Sequence, residues 1–128
     1  MNNTINDIKN EINEKTYCVI QSPLNLLPYY LKKCNLFISV DSGLLYMADA
    51  LNVPVVNIFG PCNEVNQRPE NKYKLVTNRQ TCRPLVITPT PAIYYNKKNI
   101  QKIKICFDSI APQDVFASCE NFLDLPYA

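Results

Sequence analysis

The stretch CNLFISVDSGLLYMADALNVPVVNIFGP, from Cys34 to Pro61, decides the fold. Leu36 to Val40 is an apolar run of strand type, and Asp41, Ser42 and Gly43 form a tight junction after it. Leu44 to Leu51 then reads as a helix, with Leu44, Leu45, Ala48 and Leu51 on one apolar face. Asn52 suits a helix end, and Pro54 blocks continuation. Val55 to Phe59 is a second strand run, stopped by Gly60 and Pro61. Strand, helix, strand with short joints is a βαβ unit, and its near-continuous apolar strands predict a parallel sheet covered on both faces.

Outward from this unit the signals weaken. Upstream, Thr4 with Asp7 resembles a capping box, and Ile5, Ile8 and Ile12 predict an amphipathic helix over 5–15. Tyr17 to Ile20 reads as a short strand. Leu24, Leu27 and Leu31 predict a helix ending near Cys34, with Pro28 tolerable only in or near its first turn. Downstream, 62–72 is loop-like and Tyr73 to Thr77 reads as one more strand. Residues 78–104 carry Pro84, Pro89 and Pro91, and Lys97 to Lys104 reads as a solvated loop or surface segment. Pro112 opens a last helix that buries Val115, Phe116, Cys119, Phe122 and Leu123. The expected fold class is α/β: one domain with a parallel sheet of about three or four strands and flanking helices.

Composition narrows the chemistry. The chain has 128 residues, no histidine and two glycines. No Ser-His-Asp triad, Cys-His dyad or His-ligated zinc can be built from it, and no Gly-rich phosphate loop. A net charge of +2 is too mild to argue for a nucleic-acid partner. No apolar run reaches the ~18–20 residues of a membrane helix. The polar, mixed-charge amino terminus is unlike a signal peptide, which points to a cytoplasmic protein. The six cysteines include no CxxC pair, so free thiols are expected; a metal held by Cys62, Cys82 and Cys106 is the alternative.

Both glycines fall at the carboxyl ends of strands, where open α/β sheets bind ligands. A helix opening at Ser42 and Gly43 would turn free backbone N–H groups toward an anion such as phosphate. Ser42 would cap that helix and offer its hydroxyl to the ligand, and Gly43 would admit close approach. The same residues equally suit an ordinary strand-to-helix turn with Ser42 as a plain N-cap.

These residues resemble glycosyltransferase family 9, the ADP-heptose:lipopolysaccharide heptosyltransferases. That family carries a strand, Asp-Ser/Thr-Gly-Pro-x-His, a small-residue helix, a Val-Pro strand and Phe-Gly-Pro/Ser-Thr. Here Asp41, Ser42, Gly43, Leu44 and Tyr46 stand in the first motif, and Phe59, Gly60, Pro61 and Cys62 in the second. Cys106 to Val115 is similar to the family's closing Cys-Met-x-x-Ile-x-Pro-Glu-x-Val. The resemblance spans about residues 17–123.

It implies that residues 1–128 form a single, partial Rossmann-like domain, the latter part of the C-terminal, donor-nucleotide-binding domain of a GT-B enzyme. The reaction implied is heptose transfer from ADP-heptose to lipopolysaccharide core, without metal or other cofactor. The donor-binding residues implied are Asp41, Ser42, Gly43, Tyr46 and Gly60, with Asp41 holding sugar hydroxyls or the turn itself. Tyr46 replaces the family's His, Leu44 its Pro and Cys62 its Thr. The N-terminal acceptor domain with its acidic base, and an upstream phosphate-binding lysine, have no counterpart in these residues, so no catalytic residue is named. The location implied is cytoplasmic, or peripheral at the inner membrane. The alternative is a non-catalytic remnant or interaction module that keeps the fold without binding a sugar nucleotide.

Overall fold

The computed structural model describes residues 17–82 and 97–123, together with Asn10 and Pro84. A 3-10 turn, Leu24–Leu26, runs into α1 (Leu27–Leu31), followed by β1 (Phe37–Val40), α2 (Gly43–Ala50), β2 (Val55–Ile58), β3 (Tyr73–Val76), α3 (Lys97–Asp108) and α4 (Pro112–Glu120). The strands form one parallel sheet in the order β1-β2-β3, with Phe37, Val55 and Tyr73 in register. This is the expected α/β class, with three strands among the described residues. Apart from Asn10, the helix predicted over 5–15 lies outside the described residues.

The βαβ unit ends each element as its sequence dictates. Asn52 takes a positive φ of 59° just past α2, a conformation Asn tolerates better than most residues. It lets the Val53 amide donate to Ala48 O at 3.1 Å and the Asn52 amide to Asp49 O at 2.9 Å, which satisfies the last carbonyls of the helix. Pro28 lies in the first turn of α1, where a missing N–H costs nothing.

Side chains alternate across the sheet. On one face Leu31, Leu45, Ala48, Val53 and Val55 form a cluster under α1 and α2, joined by Phe37 and Tyr73. On the other, Val56, Val76 and Cys119 pack with Val115, Ile110 and Phe122 beneath α4. That cover does not extend across β1: Ile38 and Val40 are 48% and 47% exposed, against the expectation of a sheet covered throughout. Asp49, buried at the end of α2, accepts the backbone N–H groups of Glu70 (2.9 Å) and Asn71 (3.0 Å). This anchors the long loop before β3 and compensates the buried carboxylate.

Four local expectations are corrected. Tyr17 to Ile20 forms no strand, with Val19 and Ile20 exposed. The Leu24 to Cys34 helix breaks into a 3-10 turn and one short α-helix. The Lys97 to Lys104 segment belongs to a regular helix, α3, which packs through Cys106. Phe116 on α4 points to solvent, 59% exposed, whereas Cys119 on the same helix is buried.

The cysteine expectation fails at one pair. Cys82 and Cys106 form a disulfide, leaving Cys18, Cys34, Cys62 and Cys119 as free thiols. The bond ties the loop after β3 to α3. It also removes two of the three thiols that the alternative metal site would need, and no group of three or more potential metal ligands occurs among the described residues.

Candidate functional site

The carboxyl ends of the parallel strands lie side by side, and three turns leave them. Asp41, Ser42 and Gly43 follow β1, Phe59 to Cys62 follow β2, and Thr77 to Arg79 follow β3. The first two carry the predicted site residues.

Gly43 is the first residue of α2, and a Cβ built on it would meet nothing within 4 Å. The space above the helix start is open to a ligand. No side chain caps this helix. Ser42 has the extended backbone of an N-cap, but its hydroxyl pairs with Ser39 Oγ at 3.2 Å and not with an α2 amide. The expected Ser42 cap is therefore absent, and the first N–H groups of α2 stay available to an anion.

Tyr46, one turn into α2, reaches back so that its hydroxyl donates to Asp41 Oδ1 at 3.0 Å. Its pKa is pushed up to about 12, first by burial and then by the Asp41 carboxylate, which holds the phenol proton. Cys62, half-buried on the neighbouring turn, is also pushed up to about 12 by burial and then by Asp41, with Arg79 pulling the other way. Asp41 is thus flanked by a phenol and a thiol, both protonated at neutral pH. Neither can act there as a general base.

Gly60 is required for a different reason from the one sequence suggests. A glycine ending a buried strand invites a positive φ, but Gly60 has none. A Cβ there would lie 2.8 Å from Phe107 Cζ, so the residue must be small because the α3 ring packs onto it. The structure places Gly60 at the back of the turn beside the site.

Two contributors carried no sequence signal for the site. In the sequence Cys62 stands as a departure from the family motif and as one thiol of the alternative metal site. Arg79 comes from beyond β3, and its guanidinium bonds Glu64 Oε1 at 2.6 Å. Asn57, in register with Ser39 and fully buried on β2, has neither amide atom hydrogen-bonded among the described residues. A separate groove of about 630 Å³ opens by the carboxyl end of β3, between Thr77, Asn78, Ser109 and Asp114. Arg79 also lines it, but no residue from Asp41 to Tyr46 does.

With the turn and the sheet in place, the comparison with known families decides the assignment. Residues 3–92 match the model of glycosyltransferase family 9 (heptosyltransferase). The chain belongs to glycosyltransferase family 9. The match covers both the Asp41 and the Gly60 turns of this family 9 chain, whereas the closing Cys106 to Val115 motif lies beyond it. No curated protein and no solved structure matches the chain. Family membership brings a glycosyltransferase-like function, with a sugar-nucleotide donor and a glycan acceptor as reactants. No helix among the described residues is long and apolar enough to cross a membrane.

Proposed function

We propose that this family 9 chain binds the sugar nucleotide, of the ADP-heptose type, for transfer to a lipopolysaccharide core acceptor. The observation that carries the reading is the uncapped start of α2, open above Gly43, at the carboxyl end of β1. Backbone N–H groups at Gly43 and Leu44 meet the diphosphate, aided by the helix dipole. Asp41 repels phosphate, so it lies on the sugar side and accepts a hydroxyl, with Tyr46 fixing its rotamer. Gly60 backs the neighbouring turn.

This arrangement positions a donor but activates no acceptor. Transfer needs an acceptor hydroxyl deprotonated and aligned against the anomeric carbon, and we assign those tasks to groups outside this domain. Incubating the chain with ADP-heptose and a core oligosaccharide, followed by ADP release and product mass, tests the reading. Donor binding without turnover supports it. Turnover by these residues alone overturns the division of labour, and no donor binding at millimolar concentration overturns the function. The second reading, a module that keeps the fold without a nucleotide, is favoured by one observation: Asp41 already has Tyr46 as a partner within the chain.

A further inference from the structure

Arg79 belongs to no motif of the chain, yet its guanidinium gathers the turn beside the donor site. Nε donates to Glu64 Oε1 at 2.6 Å. Nη1 reaches Gly60 O at 3.5 Å and Cys82 O at 3.4 Å, and Nη2 reaches Cys62 O at 3.4 Å. The same group lies 5.2 Å from the centroid of the Phe59 ring. Phe59, Gly60, Cys62 and Glu64 all belong to the one turn after β2, and Cys82 is tied by its disulfide to α3. A planar fork of five donors can serve several carbonyls at once; an ammonium cannot copy that geometry.

We infer that Arg79 is a positioning residue for the donor site, gripping the Phe59 to Glu64 turn, which the Val40 to Ile58 register sets beside the Asp41 to Gly43 turn, so that both turns stay in place to receive the nucleotide. It touches no donor atom itself and acts through the carbonyls of Gly60 and Cys62. The inference rests on the donor reading above for what the site holds, but the grip on the turn can be read without any ligand.

Cys62 reports the grip, because its reactivity responds with opposite sign to the two things Arg79 could do. As a nearby cation, Arg79 favours the Cys62 thiolate. Were charge its whole role, Arg79→Met would slow alkylation of Cys62. As a clamp, its removal frees the turn, exposes the half-buried Cys62 to water and speeds alkylation. The experiment is N-ethylmaleimide labelling of the non-reduced chain, followed peptide by peptide, with buried Cys119 as the internal gauge of general unfolding.

In Arg79→Met we expect Cys62 labelling to rise about tenfold with Cys119 unchanged, as for loss of several hydrogen bonds to a charged group. Arg79→Lys, which keeps the charge and loses the fork, should lie between wild type and Arg79→Met. Slowed or unchanged Cys62 labelling overturns the proposal, and so does a parallel rise at Cys119. ADP titrated into both proteins completes the test, with about tenfold weaker binding expected in Arg79→Met. Equal affinity overturns the part given to Arg79 alone. Failure of the wild-type chain to bind ADP overturns the donor reading, and with it any donor for Arg79 to position.

Discussion

The Tyr46 hydroxyl donates to Asp41 Oδ1 at 3.0 Å, so the first turn of α2 reaches back over the junction from which it springs. This bond keeps a carboxylate at the carboxyl end of β1 in one orientation. It also links the site to alkaline pH. Tyr46 and Cys62 titrate near 12 in the fold, against ordinary values of 10.0 and 9.0. Folding therefore favours their protonated forms. That contribution is whole below about pH 9 and is lost as the pH rises toward 12. Burial raises both groups most and the Asp41 charge adds to it, so in Asp41→Asn the unfolding midpoints followed by circular dichroism from pH 8 to 12 should fall somewhat less steeply than in wild type. Parallel curves would show that Asp41 holds neither proton.

The two glycines should answer substitution differently. Gly43→Ala meets open space and no strained φ, so stability should change by less than about 1 kcal/mol, in the favourable direction for a helical site. Gly60→Ala drives a methyl into the Phe107 ring and should cost about 1–3 kcal/mol. Adding Phe107→Leu should recover part of that loss. Denaturant unfolding of the three proteins checks the order. Gly43→Val should weaken ADP binding far more than it lowers stability.

How far the sequence foretold this can be judged residue by residue. The βαβ unit was legible because Leu36 to Phe59 carries its own punctuation: Gly43 to open the helix, Asn52 to close it, Pro54 to forbid its extension. The helix α3 is masked in the sequence because the prolines before it suggest loop and its lysines suggest a solvated surface. Ile100, Ile103 and Phe107, at helical spacing, were the available signal. The Cys82–Cys106 pairing, 24 residues apart, had none, since it depends on where the tertiary fold brings α3. In the site, Asp41, Ser42, Gly43 and Tyr46 share one local turn and could be read together. Cys62 and Arg79 reach it from the ends of other strands, so only the sheet register brings them in.

The disulfide makes a direct prediction. Denatured, non-reduced chain should show about four reactive thiols out of six, namely Cys18, Cys34, Cys62 and Cys119. Closing a loop of this length in the unfolded chain is worth about 3 kcal/mol. Thermal unfolding with and without dithiothreitol should show a loss of that order, and the Cys82→Ser, Cys106→Ser double variant should be insensitive to the reductant.

Asp49 gives the stability counterpart to the site. Its carboxylate takes two backbone N–H groups from the loop before β3. Asp49→Ala leaves both without their acceptor and should cost about 2–3 kcal/mol. Asn57 should behave oppositely: its buried amide has no bonded atom among the described residues, so the near-isosteric Asn57→Leu should be neutral or stabilising. Urea unfolding of both variants decides the signs.

The central claim is that the uncapped start of α2 receives the nucleotide, and backbone amide NMR during an ADP titration reads it directly. Saturable shifts at Ser42, Gly43, Leu44 and Leu45, strongest at Gly43 and reached at millimolar ADP, are the predicted result. Shifts confined to the Thr77 to Ser118 groove, or none at Ser42 to Leu45 at millimolar ADP, would contradict it.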